Sequence, residues 1–225
     1  FAVLTGPAGC GKTILLGHLC GQLAPNTHRV VYVACADCGP ADMLRLLCAG
    51  LDLEPTLGRS RMIGRIAERI AEMKGITPVL VVDEAQSLPQ PTLELVRVTC
   101  SSTLDGRNRF AVVMAGTEQL LGRLALRAFE PLRQRVTVYA EVAPLTRQQT
   151  RDYLRQRVET AGVHADIMAG EALNLLFDVT NGVPRRIDKL ADEALRRAAR
   201  EGATGVALDH VRHAARIVFG PRPET

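Results

Sequence analysis

Gly6-Pro7-Ala8-Gly9-Cys10-Gly11-Lys12-Thr13 is the stretch that decides the fold. It fits G-x-x-x-x-G-K-[ST], a loop that binds phosphate. The apolar run Phe1 to Leu4 before it reads as a buried strand, and Ile14 to Cys20 after it reads as a helix. Strand, loop and helix in that order are the context the pattern requires. The glycines let successive N–H groups turn into one concavity at the positive end of the helix. The nucleotide cradle is then Gly6, Pro7, Ala8, Gly9, Cys10, Gly11, Lys12, Thr13 and Ile14. Lys12 is expected to reach the β- and γ-phosphates of a bound nucleotide, and the Thr13 hydroxyl to ligate Mg²⁺.

A second half of the site follows from the first. Val79-Leu80-Val81-Val82 is a continuous apolar run, as in a central parallel strand buried on both faces. It ends in Asp83-Glu84. A carboxylate at the carboxyl end of such a strand can hold the Mg²⁺ shell, and this role is assigned to Asp83. Glu84 is then placed to orient and polarise the attacking water. Two adjacent carboxylates beside one phosphate suit hydrolysis better than transfer to a second substrate. The competing reading is that the pair only caps the next helix.

The bulk numbers are ordinary for a globular chain. The 225 residues carry 28 Lys and Arg against 24 Asp and Glu, a net charge of +4. That balance permits contact with nucleic acid or acidic lipid without demanding it. No apolar run approaches the roughly 20 residues that span a bilayer, and no signal-peptide pattern opens the chain. The chain begins inside its first strand, as an excised or truncated domain would. Six cysteines (Cys10, Cys20, Cys35, Cys38, Cys48, Cys100) lie in apolar patterns, as reduced core cysteines do. Cys35-x-x-Cys38 lacks a second pair at zinc-ribbon spacing, so no metal is expected there. His210 and His213 are expected at the surface.

Strand and helix signals alternate up to about residue 143, which argues for an α/β fold with a parallel sheet. Strands are expected at Arg29 to Ala34, Val79 to Val82, Phe110 to Ala115 and Arg135 to Ala140, the last alternating like an edge strand. Helices are expected at Pro40 to Leu51, Ser60 to Met73 and Pro91 to Ser101. Beyond Pro144 only helical signals remain. They cover Thr146 to Ala161, with Thr146 and Gln149 as a capping box, then Asp166 to Thr180, Pro184 to Glu201 and Asp209 to Phe219. The division is a 1–143 core, a 144–219 helical lid and a 220–225 tail.

These motifs together resemble the AAA+ ATPases. The resemblance implies a three-layer α/β/α core with sheet order 5-1-4-3-2, a helical lid, and ATP with Mg²⁺ as cofactors. It also implies three further site positions. At the end of the fourth strand, Gly116 stands where the family has a polar sensor, so Thr117 is taken as its substitute. Glu130-Pro131-Leu132-Arg133-Gln134-Arg135-Val136 matches the arginine-finger segment, with Arg135 as first choice and Arg133 as second. Asn181-Gly182-Val183-Pro184-Arg185-Arg186-Ile187 looks like the second sensor, with Arg185 aimed at the nucleotide. Asp83-Glu84-Ala85-Gln86, Gly116-Thr117-Glu118-Gln119-Leu120, the finger segment and the lid motif narrow the resemblance further. They look like the ExeA/GspA secretion ATPases and their relatives, the TniB, TnsC and MuB transposition ATPases.

The ExeA-like branch implies ATP hydrolysis coupled to assembly of a larger envelope complex. It also implies a homo-oligomer with the finger acting in trans, located in the cytoplasm or at the cytoplasmic face of the inner membrane. The alternative is an ATP-dependent regulator bound to duplex DNA beside a transposase. Arg147, Arg151 and Arg155, spaced four apart on one helix face, would then track phosphates. A third reading, a slow signalling switch of the STAND type, fits the Gly-x-Pro of the lid. Glu84, Arg135 and Arg185 together argue against it.

Overall fold

The computed structural model describes residues 1–34, 37–100, 110–162, 167–168 and 170–220. Five strands form one parallel sheet: β1 (Ala2–Thr5), β2 (His28–Ala34), β3 (Thr77–Asp83), β4 (Ala111–Gly116) and β5 (Val138–Glu141), in the order β2-β3-β4-β1-β5. Read from the other edge, this is the expected order 5-1-4-3-2. β3 is buried from Pro78 to Asp83, as its unbroken apolar run requires. The parallel strands bring the carboxyl ends of β1 and β3 to the same edge of the sheet, where ligand crevices form in open α/β folds.

The described residues divide into two compact units: Phe1–Gly6 with Lys12–Val142, and Pro7–Gly11 with Ala143–Thr225. The first unit holds the sheet and helices α1 (Lys12–Gln22), α2 (Pro40–Gly50), α3 (Arg59–Glu72), α4 (Gln90–Cys100), α5 (Glu118–Ala125) and α6 (Glu130–Arg133). Its main core packs Met43, Leu44 and Leu47 of α2, Ile66 of α3 and Leu93 and Val96 of α4 against Leu80, Val82 and Met114 of the sheet. Leu16 of α1 packs on the other side with Leu4, Val79, Val81 and Ala115.

The second unit carries α7 (Arg147–Thr160), α8 (Gly170–Thr180), α9 (Pro184–Arg200) and α10 (Leu208–Phe219). The Thr146 hydroxyl accepts from the Gln149 N–H while the Gln149 side chain accepts from the Thr146 N–H, so the capping box is formed. Ile187, Leu190, Ala191, Ala194 and Ala198 bury one face of α9, whereas Leu195 lies off that face and is half-exposed.

Three expectations are corrected. Arg135 does not begin a strand. Pro131 opens the short α6, Leu132 is buried, and the chain joins the sheet edge only at Thr137, whose N–H donates to the Phe1 carbonyl. The strand β5 is exposed at every residue, so it lacks the alternation expected of it. His210 is only 7% exposed and is no surface residue. Its Nδ1 accepts from the Ala207 N–H at the start of α10, and its Nε2 faces the Glu201 carboxylate at 2.9 Å. That hydrogen bond from His210, ahead of Arg197, holds the Glu201 carboxyl below its usual range. Cys35, Ser101, Asp166 and the tail from 221 lie outside the described residues. Among the described residues no helix is long and apolar enough to cross a membrane, and no group of three metal-ligating side chains forms.

Candidate active site

In the first unit α1 opens at Lys12, which is only 5% exposed. Its Nζ donates to the Gly6 carbonyl at 2.9 Å, just past the end of β1. The Thr13 hydroxyl donates to Asp83 Oδ2 at 2.7 Å, across 70 positions of sequence. Asp83 is buried and takes two further donors. Tyr32 O–H reaches the same Oδ2 at 2.9 Å, and the Glu84 N–H reaches Oδ1 at 2.9 Å. A buried carboxylate needs such partners, and here all of them hold it at the mouth of the strand. Burial first, then donation to Asp83 and the negative charge around it, pushes the Tyr32 phenol up to about 12. Tyr32 therefore remains a donor across the physiological range.

Thr13 Oγ1 and Asp83 Oδ2 are hard oxygen donors side by side, the chemistry Mg²⁺ selects. Both residues assigned to the metal therefore fit it. Glu84 leaves the strand in the left-handed region, with φ 53° and ψ 38°. A non-glycine residue held there costs on the order of 1–3 kcal/mol and is concentrated at functional positions. The 3₁₀ turn Ala85–Ser87 that follows receives no side-chain cap from Glu84, so the capping reading has no bond to support it. The Glu84 side chain is exposed and accepts from Gln86 Nε2.

The loop Pro7–Gly11 counts with the second unit. Gly9 and Gly11 have φ of 87° and 96°, which only glycine adopts without strain. A Cβ at Gly9 would stand 2.8 Å from Arg185 Cβ, and the Arg185 N–H donates to the Gly9 carbonyl at 3.2 Å. Arg185 thus sits beside the loop, in the first turn of α9 behind Pro184, with its side chain exposed. Cys10 is buried within the loop. The Ile14 side chain is 79% exposed, so only its main chain is left to serve a phosphate.

Thr117 lies at the end of β4 and precedes α5. Its N–H donates to Gln86 Oε1 at 3.1 Å, while its hydroxyl is buried and has no partner among the described residues. Arg135 is half-buried in the turn after α6, and Arg133 is exposed. The stripe on α7 is depleted at its first member. Arg147 pairs with Asp178 at 2.7 Å, donates to Asn174 and lies over the Phe177 ring, so it joins α7 to α8. Arg151 and Arg155 remain exposed.

Two residues of this site escaped the sequence. Tyr32 pairs with Val81 across the β2–β3 ladder, and the pleat puts it on the same face as Asp83. The expected order made β2 a neighbour of β3, but register is not written in either strand alone. Gln86 was noticed only as part of a motif; its contact with Thr117 needs the β3–β4 pairing.

Comparison with known proteins bears on the family and the fold. The family model described as AAA domain matches residues 1–124. General secretion pathway protein A of Aeromonas hydrophila is 30% identical over the whole of this chain, which spans 42% of that protein's length. The fold is similar to that of Cdc6p from Pyrobaculum aerophilum, with TM-score 0.77 and 21% identity over 98% of this chain and 62% of that one. It is also similar to the RuvB Holliday junction branch migration motor of Thermotoga maritima, with TM-score 0.65 and 18% identity over 96% of this chain and 61% of that one.

Proposed function

The chain belongs to the AAA domain family, as an AAA+ P-loop ATPase of the ExeA/GspA type, and from that premise we propose how its residues bind and hydrolyse ATP. The observation that carries the reading is the 2.7 Å contact between Thr13 and Asp83, which joins the two halves of a nucleotide site. Main-chain N–H groups of Gly9 to Thr13 cradle the phosphates, and Lys12 leaves the Gly6 carbonyl to meet the β- and γ-oxygens. Thr13 and Asp83 would hold Mg²⁺, which when bound neutralises charge on the phosphate oxygens. Glu84 takes a proton from water as the water oxygen bonds to the γ-phosphorus. The bond from that phosphorus to the bridging oxygen breaks, releasing ADP and phosphate. Arg185 meets the γ-phosphate from beside the loop, and Thr117 serves as the sensor on β4.

In the proposed assembly Arg135 enters a neighbouring copy's site as a finger, where a guanidinium stabilises charge spreading over the transferred phosphoryl. The biological role we propose is that nucleotide state drives assembly of a secretion-associated complex; the secretion part of that reading is supported by the relative named general secretion pathway protein A. With Arg147 engaged by Asp178, the arginine stripe offers less support for the DNA-bound alternative.

The test is MgATP hydrolysis by wild type, Lys12→Ala and Glu84→Gln, across protein concentration at low salt, with and without duplex DNA. Lys12→Ala should lose nucleotide binding. Glu84→Gln should keep binding and lose hydrolysis by on the order of 10²-fold or more. Full hydrolysis by Glu84→Gln would overturn its assignment. Strong stimulation by DNA, lost as salt rises, would replace the secretion reading with the transposition-type one.

A further inference from the structure

Gln86 spans two functional positions with one amide. Its Nε2 donates to Glu84 Oε2, and its Oε1 accepts from the Thr117 N–H. The two ends cannot exchange. A main-chain N–H only donates, so the amide oxygen must face Thr117 and the NH₂ must face the carboxylate. The main chain of Gln86 is pinned as well, because its carbonyl accepts from the Arg123 guanidinium, which lies over the Phe129 ring at 5.4 Å. A Cβ placed on Gly116 would stand 2.5 Å from Gln86 Oε1. Glycine at 116, where the family resemblance implies a polar side chain, leaves that oxygen its place. A polar group does serve the end of β4, but it arrives from the far side, from the residue two after Glu84.

We infer that Gln86 is a positioning residue: it aims the Glu84 carboxylate and couples it to the end of β4 at Thr117. The inference rests on the proposed role of Glu84. Glu84 is exposed and sits on a left-handed residue, so its side chain has little packing to fix its rotamer. Donation from Gln86 is the one side-chain hydrogen bond it receives among the described residues. Any shift of Thr117, when a γ-phosphate arrives or leaves, is passed to that carboxylate through a single rigid amide.

The experiment uses the whole chain and four variants: Gln86→Met, Gln86→Glu, Glu84→Gln and the double variant Gln86→Met/Glu84→Gln. For each, kcat and KM for MgATP, the Kd of a fluorescent ATP analogue, and the melting temperature are measured. Gln86→Met keeps the volume and loses both hydrogen bonds. Its kcat should fall roughly tenfold or more, with Kd and melting temperature unchanged. Gln86→Glu keeps an acceptor for Thr117 but sets a carboxylate against Glu84, and should fall at least as far. If Gln86 acts through Glu84, adding Gln86→Met to Glu84→Gln should cost no further activity in single-turnover assays. Wild-type kcat in Gln86→Met, or an equal loss in both backgrounds, overturns the inference. Where Gln86→Met melts early, Gln86→Glu supplies the same comparison. Full activity in Glu84→Gln is a separate failure, that of the Glu84 assignment itself.

Discussion

Asp83 gathers three donors onto two oxygens, and one of them, Tyr32, comes from a neighbouring strand. A single hydroxyl therefore contributes to how the carboxylate proposed to hold Mg²⁺ is fixed. Removing it with Tyr32→Phe leaves the ring in place and frees one lone pair of Oδ2. The Mg²⁺ concentration giving half-maximal hydrolysis should rise a few-fold, with the fold intact, as losses of groups that orient a ligand usually do. The same variant has a pH consequence. The folded-state pKa of Tyr32 lies above the free phenol value of 10.0, at about 12. Its contribution to stability is thus whole below pH 10 and is lost as pH rises toward about 12. In absorbance titrations, wild type minus Tyr32→Phe should show one phenol ionising near pH 12, which a midpoint near 10 would contradict.

Elements are joined here by backbone as much as by side chains. Asn181 and Gly182 end α8 in the left-handed region, with φ of 50° and 70°. The Leu145 N–H donates to the Gly182 carbonyl at 2.8 Å, and a Cβ on Gly182 would stand 1.9 Å from the Leu145 carbonyl oxygen. Backbone cannot yield as a flexible side chain does. Gly182→Ala should cost on the order of 2–4 kcal/mol by urea unfolding, since strain and collision add. His210 secures another element start, through Ala207 and Glu201. His210→Ala leaves the Ala207 N–H without its partner and should lower stability by about 1–2 kcal/mol, read in the same denaturation assay.

At the scale of the whole molecule, chemistry and assembly are separable by mixing. Arg135 lies in the turn after α6, outside any strand, and is half-buried. If it acts on a neighbouring copy's nucleotide, Arg135→Ala should lose hydrolysis by roughly 10³-fold or more, as loss of an arginine finger does. Adding Lys12→Ala subunits, inactive themselves but carrying the finger, should restore part of that activity. Specific activity should also rise with protein concentration. A rate independent of concentration down to the monomer would place the finger within one chain.

Most of the fold was legible because its signals are local and redundant. A glycine-rich loop needs a strand before it and a helix after it, and the apolar run ending in Asp83 has the length and composition of a buried parallel strand. The order of the sheet followed from the family resemblance and stands as observed. What failed was local pattern overruled by packing: Arg135 to Thr137 alternates like a strand, yet Pro131 and buried Leu132 turn the chain first. His210 reads as polar and lies buried because two partners satisfy it. The sequence by itself determined the phosphate loop, the Asp-Glu pair and the α/β order, since each is a property of consecutive residues. Only the tertiary structure decided that Tyr32 serves Asp83, that Gln86 fills the room beside Gly116, and that Arg147 of α7 is held by α8, since each depends on register and distance between segments far apart in the chain.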